Sequence, residues 1–199
     1  MDQKAKIAVF LSGGGTNLQS LIDASRDGRL SGEIVLVVSN HEEAYGLQRA
    51  TKAGIDTFVY KIKNYATKEE AHADLMDMLE QYEIGYIALA GYLKLLPPPV
   101  IKKFKNRITN IHPALLPKYG GKGMYGHNVH EAVIANGEAE SGATAHLVDE
   151  IYDNGRIIEQ KKVPVQPDDT PDSLAARVLK IEHELYPLAL DNLIRGKYA

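Results

Sequence analysis

From Lys6 to His112 the chain alternates short runs of Ile, Val and Leu with segments whose apolar residues recur at helical spacing, and few architectures accept that order. Lys6–Leu11 and Glu33–Ser39 are apolar almost without interruption, as strands covered on both faces are. Thr57–Tyr60, Tyr86–Ala90 and Arg107–His112 are further strand candidates. Between them, Leu18, Leu21 and Ile22 mark one amphipathic helix, and Ala71, Leu75, Met78, Leu79 and Tyr82 mark a longer one. Strand, helix and parallel strand connect by right-handed crossovers, so the order predicts an α/β fold with one doubly wound, mostly parallel sheet and helices on both faces. After His112 the pattern changes to a glycine-rich segment and a short helix around His130–Asn136. Ala143–Val148 and Arg156–Val165 follow as strands of a C-terminal antiparallel region. Thr170, Pro171 and Asp172 open a last helix, striped by Leu174, Val178, Ile181 and Leu185.

A chain of 199 residues with 44% hydrophobic content buries one substantial core. No repeat, low-complexity tract or linker divides it, so one domain is predicted. The lack of cysteine excludes disulfides and thiolate chemistry. With 23 basic against 26 acidic residues, the formal charge of -3 argues against a nucleic-acid partner, which draws on clustered Lys and Arg. No run approaches the roughly 18 apolar residues of a membrane span. The start, Met1-Asp2-Gln3-Lys4, lacks a signal-peptide core, so a cytoplasmic protein with no membrane partner is expected.

The run from Thr109 to Lys118 carries the strongest chemical signal. Successive strand residues point to opposite faces, so Asn110 and His112 share one face and Ile111 takes the other. Pro113 biases His112 towards extended dihedrals, and Pro117 keeps the exit from forming an ordinary helix. An amide donor beside a titratable imidazole suits a reaction in which a carbonyl oxygen turns negative while a proton moves. A capped strand end with a backbone-bonded histidine is the alternative.

Three consecutive glycines, Gly13 to Gly15, stand between the first strand and the first helix. Such a turn either is merely tight or lets backbone N–H groups approach an anion at the helix N-terminus. No Gly-Lys-Ser/Thr follows, which excludes a Walker A loop, and Leu18 replaces the third glycine of a dinucleotide fingerprint. A single phosphate is the best remaining ligand. Downstream, Asp149-Glu150-Ile151-Tyr152-Asp153-Asn154-Gly155 is a loop with turn chemistry, and nothing in it distinguishes Asp153 from Asp149.

Asn110-Ile111-His112-Pro113-Ala114-Leu115-Leu116-Pro117-Lys118-Tyr119 resembles the signature of the folate-dependent formyltransferases, most closely the branch that formylates glycinamide ribonucleotide. The segments Ser12–Gln19, Leu89–Tyr92 and His146–Asp153 match in the expected order, so the resemblance covers nearly the whole chain. It implies 10-formyltetrahydrofolate as co-substrate, glycinamide ribonucleotide as acceptor, no metal, and a monomer or homodimer. It assigns catalysis to Asn110, His112 and Asp153, and ribonucleotide binding to Gly15, Thr16, Asn17 and Glu182. Folate binding falls to Leu93, Lys94, Leu95, Leu96, Asn110 and Lys68, with Lys94 and Lys68 standing where some relatives carry arginine. His146 aligns with a histidine near the catalytic centre, and Asn154 replaces a common glycine. The resemblance also divides the single domain into a nucleotide-binding half, about residues 1–100, and a folate and catalytic half, about residues 86–199.

The expected mechanism is direct attack of the substrate amine on the formyl carbon. Asn110 and His112 stabilise the oxyanion, and Asp153, by raising the pKa of His112, helps it carry the proton. An apparent insertion of about five residues after Lys118 is rich in glycine and predicts a mobile lid, with Lys118, Lys122 or His127 reaching the phosphate or a catalytic water. Two rivals are a methionyl-tRNA formyltransferase-like enzyme, disfavoured because the chain ends soon after its last helix, and a non-catalytic folate- or nucleotide-binding sensor.

Overall fold

The computed structural model describes residues 4–198; Met1-Asp2-Gln3, weighed above for a signal core, and Ala199 at the end of the assigned domain lie outside them. Seven strands form one sheet: β1 (Lys6–Leu11), β2 (Glu33–Ser39), β3 (Asp56–Val59), β4 (Tyr86–Leu89), β5 (Ile108–His112), β6 (Glu140–Leu147) and β7 (Ile157–Pro164). Their order is β3-β2-β1-β4-β5-β6-β7. The first five are parallel, and β6 and β7 are antiparallel to their neighbours. This is the mostly parallel sheet with an antiparallel C-terminal region that the sequence pattern predicts.

Both faces are buried because the strand residues alternate between two cores. Ile7, Val9 and Leu11 pack with α1 (Thr16–Arg26), α2 (Tyr45–Ala53) and α6 (Pro171–Ile194), whereas Ala8 and Phe10 pack with α3 (Lys68–Gln81) and α4 (Pro98–Lys103). The remaining helix, α5 (His127–Ala135), packs against α6. A reciprocal cap between Thr170 and Ser173 starts α6 at the position its sequence predicts.

Helices α2 and α4 went unread in the sequence for a physical reason. Helix α2 buries only Gly46, Leu47 and Ala50, and α4 opens on two prolines and buries Val100 alone, so neither displays a stripe of large apolar residues. Elsewhere the predicted ends shift by one to three residues: β3 begins at Asp56, β5 at Ile108, β6 at Glu140 and α5 at His127. No helix among the described residues is long and apolar enough to cross a membrane.

The strand order reverses between β1 and β4, so the loops leaving these strands diverge and open a crevice at their carboxyl ends. Tyr186 of α6 braces the floor of that crevice. Fully buried, its hydroxyl lies 3.0 Å from the Leu89 carbonyl at the end of β4, and 3.1 Å from the Thr109 carbonyl and 3.2 Å from Thr109 Oγ1 near the start of β5. Tyr186→Phe keeps the ring and removes this bond. It should lower unfolding free energy by about 1–2 kcal/mol in urea titrations with an unchanged m-value.

Candidate active site

A cavity of about 680 Å³ occupies the crevice, running from Asn17 and Glu182 at one end, past Asn110, His112 and Asp153, to the turn after β4. Asn110 and His112 reach it from one face of β5, while Thr109 and Ile111 take the opposite face, where the Thr109 hydroxyl meets Tyr186 and Ile111 joins the α1 and α6 core. Antiparallel pairing sets Asn110 opposite His146 and so brings β6 and its exit loop to the same spot.

The protonation pattern follows from which partners can only accept. His146 Nδ1 lies 2.8 Å from the Leu147 carbonyl, so Nδ1 carries the hydrogen and Nε2 accepts from Asn110 Nδ2 at 3.0 Å. The other N–H of Asn110 makes a long contact of 3.4 Å to Asp153 Oδ1. That weakly held hydrogen is the one available to a developing oxyanion. His112 Nε2 lies 2.7 Å from the Tyr119 carbonyl and therefore carries a hydrogen, leaving Nδ1 turned to Asp153 Oδ2 at 3.5 Å.

Asp153 does pull the pKa of His112 upward, as expected, but the net shift is downward. Burial of the imidazole pushes its pKa below the ordinary value, and this outweighs the upward pull of Asp153 and of the Tyr119 carbonyl. Burial alone would raise the Asp153 carboxyl, yet His146, His112 and the Gly121 N–H together hold it below the usual range. A neutral imidazole facing an ionised carboxylate is the resting pair.

At the other end, Asn17 Nδ2, in the first turn of α1, donates to Glu182 Oε2, midway along α6, at 2.6 Å in a buried contact. Burial raises the Glu182 pKa, opposed by that amide. Asn17 Oδ1 is buried without a partner, an acceptor free for a ligand donor. Thr16 opens onto a neighbouring smaller cavity. Gly15 has φ +72, and a Cβ there would stand 2.6 Å from Gly46 Cα, so its lack of a side chain is demanded by helix packing whatever it binds. Gly13 and Gly14 face open space.

Leu93, Lys94, Leu95 and Leu96 line the apolar end of the cavity, with Leu93 and Leu95 each 46% exposed in the free protein. Lys68 is not brought there: it lines an adjoining cavity that shares Lys94, Leu95 and Leu96 with the first. Lys122 and His127 line the main cavity, as do Met124 and Tyr125. Lys118 does not, because it pairs with Glu138 at 2.9 Å. Sequence reading overlooked Tyr119 and Gly121, whose contributions to the site are backbone atoms that no side-chain pattern marks. Among the described residues, no group of three or more His, Asp or Glu side chains is placed to hold a metal ion.

A family model described as Formyl transferase matches residues 5–190. A Vigna unguiculata protein, "Phosphoribosylglycinamide formyltransferase, chloroplastic", is 48% identical over 92% of this chain and 59% of its own length. The Haemophilus influenzae "Phosphoribosylglycinamide formyltransferase" is 41% identical over 96% of this chain and 88% of its own. The chain thus spans less than two thirds of the plant relative and most of the bacterial one. A crystal structure of the Brucella melitensis phosphoribosylglycinamide formyltransferase superposes with a TM-score of 0.89 at 42% identity, covering 98% of this chain and 97% of that one.

Burial also displaces the pKa of His130, which lines the cavity, down to about 4. Histidines whose folded pKa lies below the unfolded value bind fewer protons folded than unfolded. Their contribution is complete above about pH 6.5 and is lost as pH falls through the window from there to about 4 for His130. Urea midpoints should therefore drop between pH 7.5 and pH 5, while imidazole proton shifts keep His112 and His130 neutral below pH 6.5. A His112 midpoint above that value would restore the imidazolium reading.

Proposed function

The chain belongs to the formyl transferase family, and from that premise we propose that it transfers the formyl group of 10-formyltetrahydrofolate to the amine of glycinamide ribonucleotide, the reaction of de novo purine synthesis expected from its motifs. The observation that carries this reading is one cavity with an oxyanion donor and a proton carrier at its centre. Asn17, in the first turn of the helix that follows the glycine turn, lies at one end of it and an apolar turn at the other. A flat pterin fits the apolar end, where Leu93 to Leu96 and Val148 offer surface. The ribonucleotide would lie towards Gly15, Thr16 and Asn17, with its phosphate at the start of α1, where unpaired N–H groups and the helix dipole favour an anion. Glu182 and the bare Asn17 Oδ1 then accept hydrogens from the glycinamide or ribose portion.

Attack of the amine on the formyl carbon places negative charge on oxygen and positive charge on nitrogen. Asn110 turns the hydrogen it holds loosely towards Asp153 to the developing oxyanion, and the new bond strengthens as the charge grows. His112, neutral at rest, takes the proton shed by the amine at Nδ1, where Asp153 stabilises the imidazolium, and returns it to the departing folate nitrogen. Both N–H hydrogens of Asn110 have partners beforehand, so the amide is already oriented. Lys68 and Lys94, bordering the adjoining cavity, are assigned to the anionic tail of the folate.

Lys122, His127 and the intervening residues form the movable part of the cavity wall, since the preceding Gly121 is tied to Asp153. Hydrogen exchange should be fast over residues 122–126 in the free protein and slowed by glycinamide ribonucleotide. Equal exchange in both states removes the lid while leaving the chemistry in place.

An assay of formyl transfer to glycinamide ribonucleotide, with the amine omitted as control, tests the reaction itself. Asp153→Asn should lower kcat by roughly 10²- to 10⁴-fold with little change in KM for either substrate. Near-normal turnover in the folded variant would sink the proton path.

A further inference from the structure

His112 is fixed by a backbone carbonyl whose own residue is held from outside the site. Tyr119 adopts φ +57, a left-handed conformation that residues bearing side chains seldom take unless their surroundings enforce it. Here its ring packs against the α1 and α6 core, and its hydroxyl donates to Glu138 Oε1 at 2.9 Å. Lys118 Nζ donates to the same oxygen at 2.9 Å, so the carboxylate is pinned between the side chains of consecutive residues. The two residues after Tyr119 press on the other half of the proton path. A Cβ at Gly120 would stand 3.2 Å from Asp153 Cβ, and Gly121 N–H donates to Asp153 Oδ2 at 2.9 Å.

The carbonyl selects between two forms of the ring. With hydrogen on Nε2, His112 donates to Tyr119; with hydrogen on Nδ1, two lone pairs would face each other across 2.7 Å. We propose that Tyr119 is a positioning residue: anchored through its hydroxyl on Glu138, it holds the bend whose carbonyl keeps hydrogen on His112 Nε2, reserving Nδ1 for the proton that moves. This rests on His112 being the proton carrier of the transfer proposed above. The segment after β5 thereby acts as a clamp as well as a cover, and Lys118 serves its anchor instead of a substrate phosphate.

Tyr119→Phe deletes the anchoring hydroxyl and keeps the packed ring, while Glu138→Gln weakens the anchor from its other side. Imidazole ¹⁵N shifts of the ligand-free full chain give the first readout. Wild-type His112 should show a single Nε2–H tautomer, and both variants should show shifts averaged towards the Nδ1–H form. Asp153, His146 and His130 also face this ring and are unchanged in the variants, so the loosened carbonyl contact should lower the His112 midpoint. In the transfer assay kcat should fall about three- to tenfold, the worth of one hydrogen bond, with both KM values within about twofold and the acid limb of the kcat profile moved to lower pH. A folded Tyr119→Phe with the wild-type tautomer and unchanged kcat overturns the proposal, as does a mixed tautomer in the wild type. A lower kcat accompanied by an unaltered tautomer marks Tyr119 as merely structural and overturns it too. If Tyr119→Phe fails to fold, Glu138→Gln, at the surface end of the contact, decides alone. Absence of formyl transfer in the wild type would defeat the reading beneath, whereas the nitrogen shifts would still judge the clamp.

Discussion

Everything in the site hangs on the joint between β1 and β4, where the strand order reverses. Ser12, the first residue past β1, donates its N–H to the Gly91 carbonyl at 3.0 Å and accepts the Leu93 N–H on its hydroxyl at 2.9 Å. The same hydroxyl donates to Asn40 Oδ1 at 2.6 Å, beyond the end of β2. One serine thus ties the glycine turn, the apolar turn and the neighbouring strand exit into a single rim. Two loops that would otherwise diverge from the sheet keep a fixed separation, and Asn110 and His112 of β5, proposed above as catalytic, stand beside them. For the proposed transfer, a cleft that holds two substrates in contact gains most from such rigidity, because proximity counts only when the reacting groups hold their alignment.

The antiparallel end of the sheet solves a second problem, that of bringing a carboxylate to a strand that ends in a histidine. Strand β6 returns alongside β5 and delivers its exit loop beside the β5 side chains. That loop is stiff: a Cβ on Gly155 would fall 1.8 Å from the Leu147 carbonyl, so the backbone there lies directly on the strand. Asn154 contributes a tie of its own through Nδ2 to Asp149 Oδ2 at 2.9 Å, while Ile151 N–H reaches Asp149 Oδ1 at 2.8 Å. Asp149 therefore braces the loop and Asp153, at φ +53, faces the cavity.

This division of labour shows where sequence reading succeeds and where it stops. Strands β1 and β2 were legible to the residue because continuous burial on both faces leaves an unbroken apolar run. Asn110 and His112 were legible because strand alternation dictates direction. Asp149 and Asp153 were not separable, since loop residues obey no period and only the folded path decides which carboxylate meets the imidazole; resemblance supplied that choice. Helix α2 was invisible because its buried face, Gly46, Leu47 and Ala50, holds a single large apolar residue and so shows no apolar stripe. The contacts of Tyr119 and Gly121 with His112 and Asp153 are made by backbone atoms, which every residue possesses.

The direction of the His112 shift is the sharpest divergence, and its cause is general. A carboxylate beside a histidine stabilises the charged ring only in proportion to their closeness, and at 3.5 Å without a strong hydrogen bond that attraction is smaller than the cost of burying an imidazolium. Resemblance identifies the partner, and the sequence is silent on depth. For the proposed transfer the consequence is chemical: a ring already protonated could donate to the oxyanion but could not collect the proton that the attacking amine must lose. A neutral ring can do both in turn, because the proton it gains is the one it later surrenders. Burial sets the empty state of this store and Asp153 makes filling it tolerable, so the two opposing influences on His112 together produce a carrier that is charged only during the reaction.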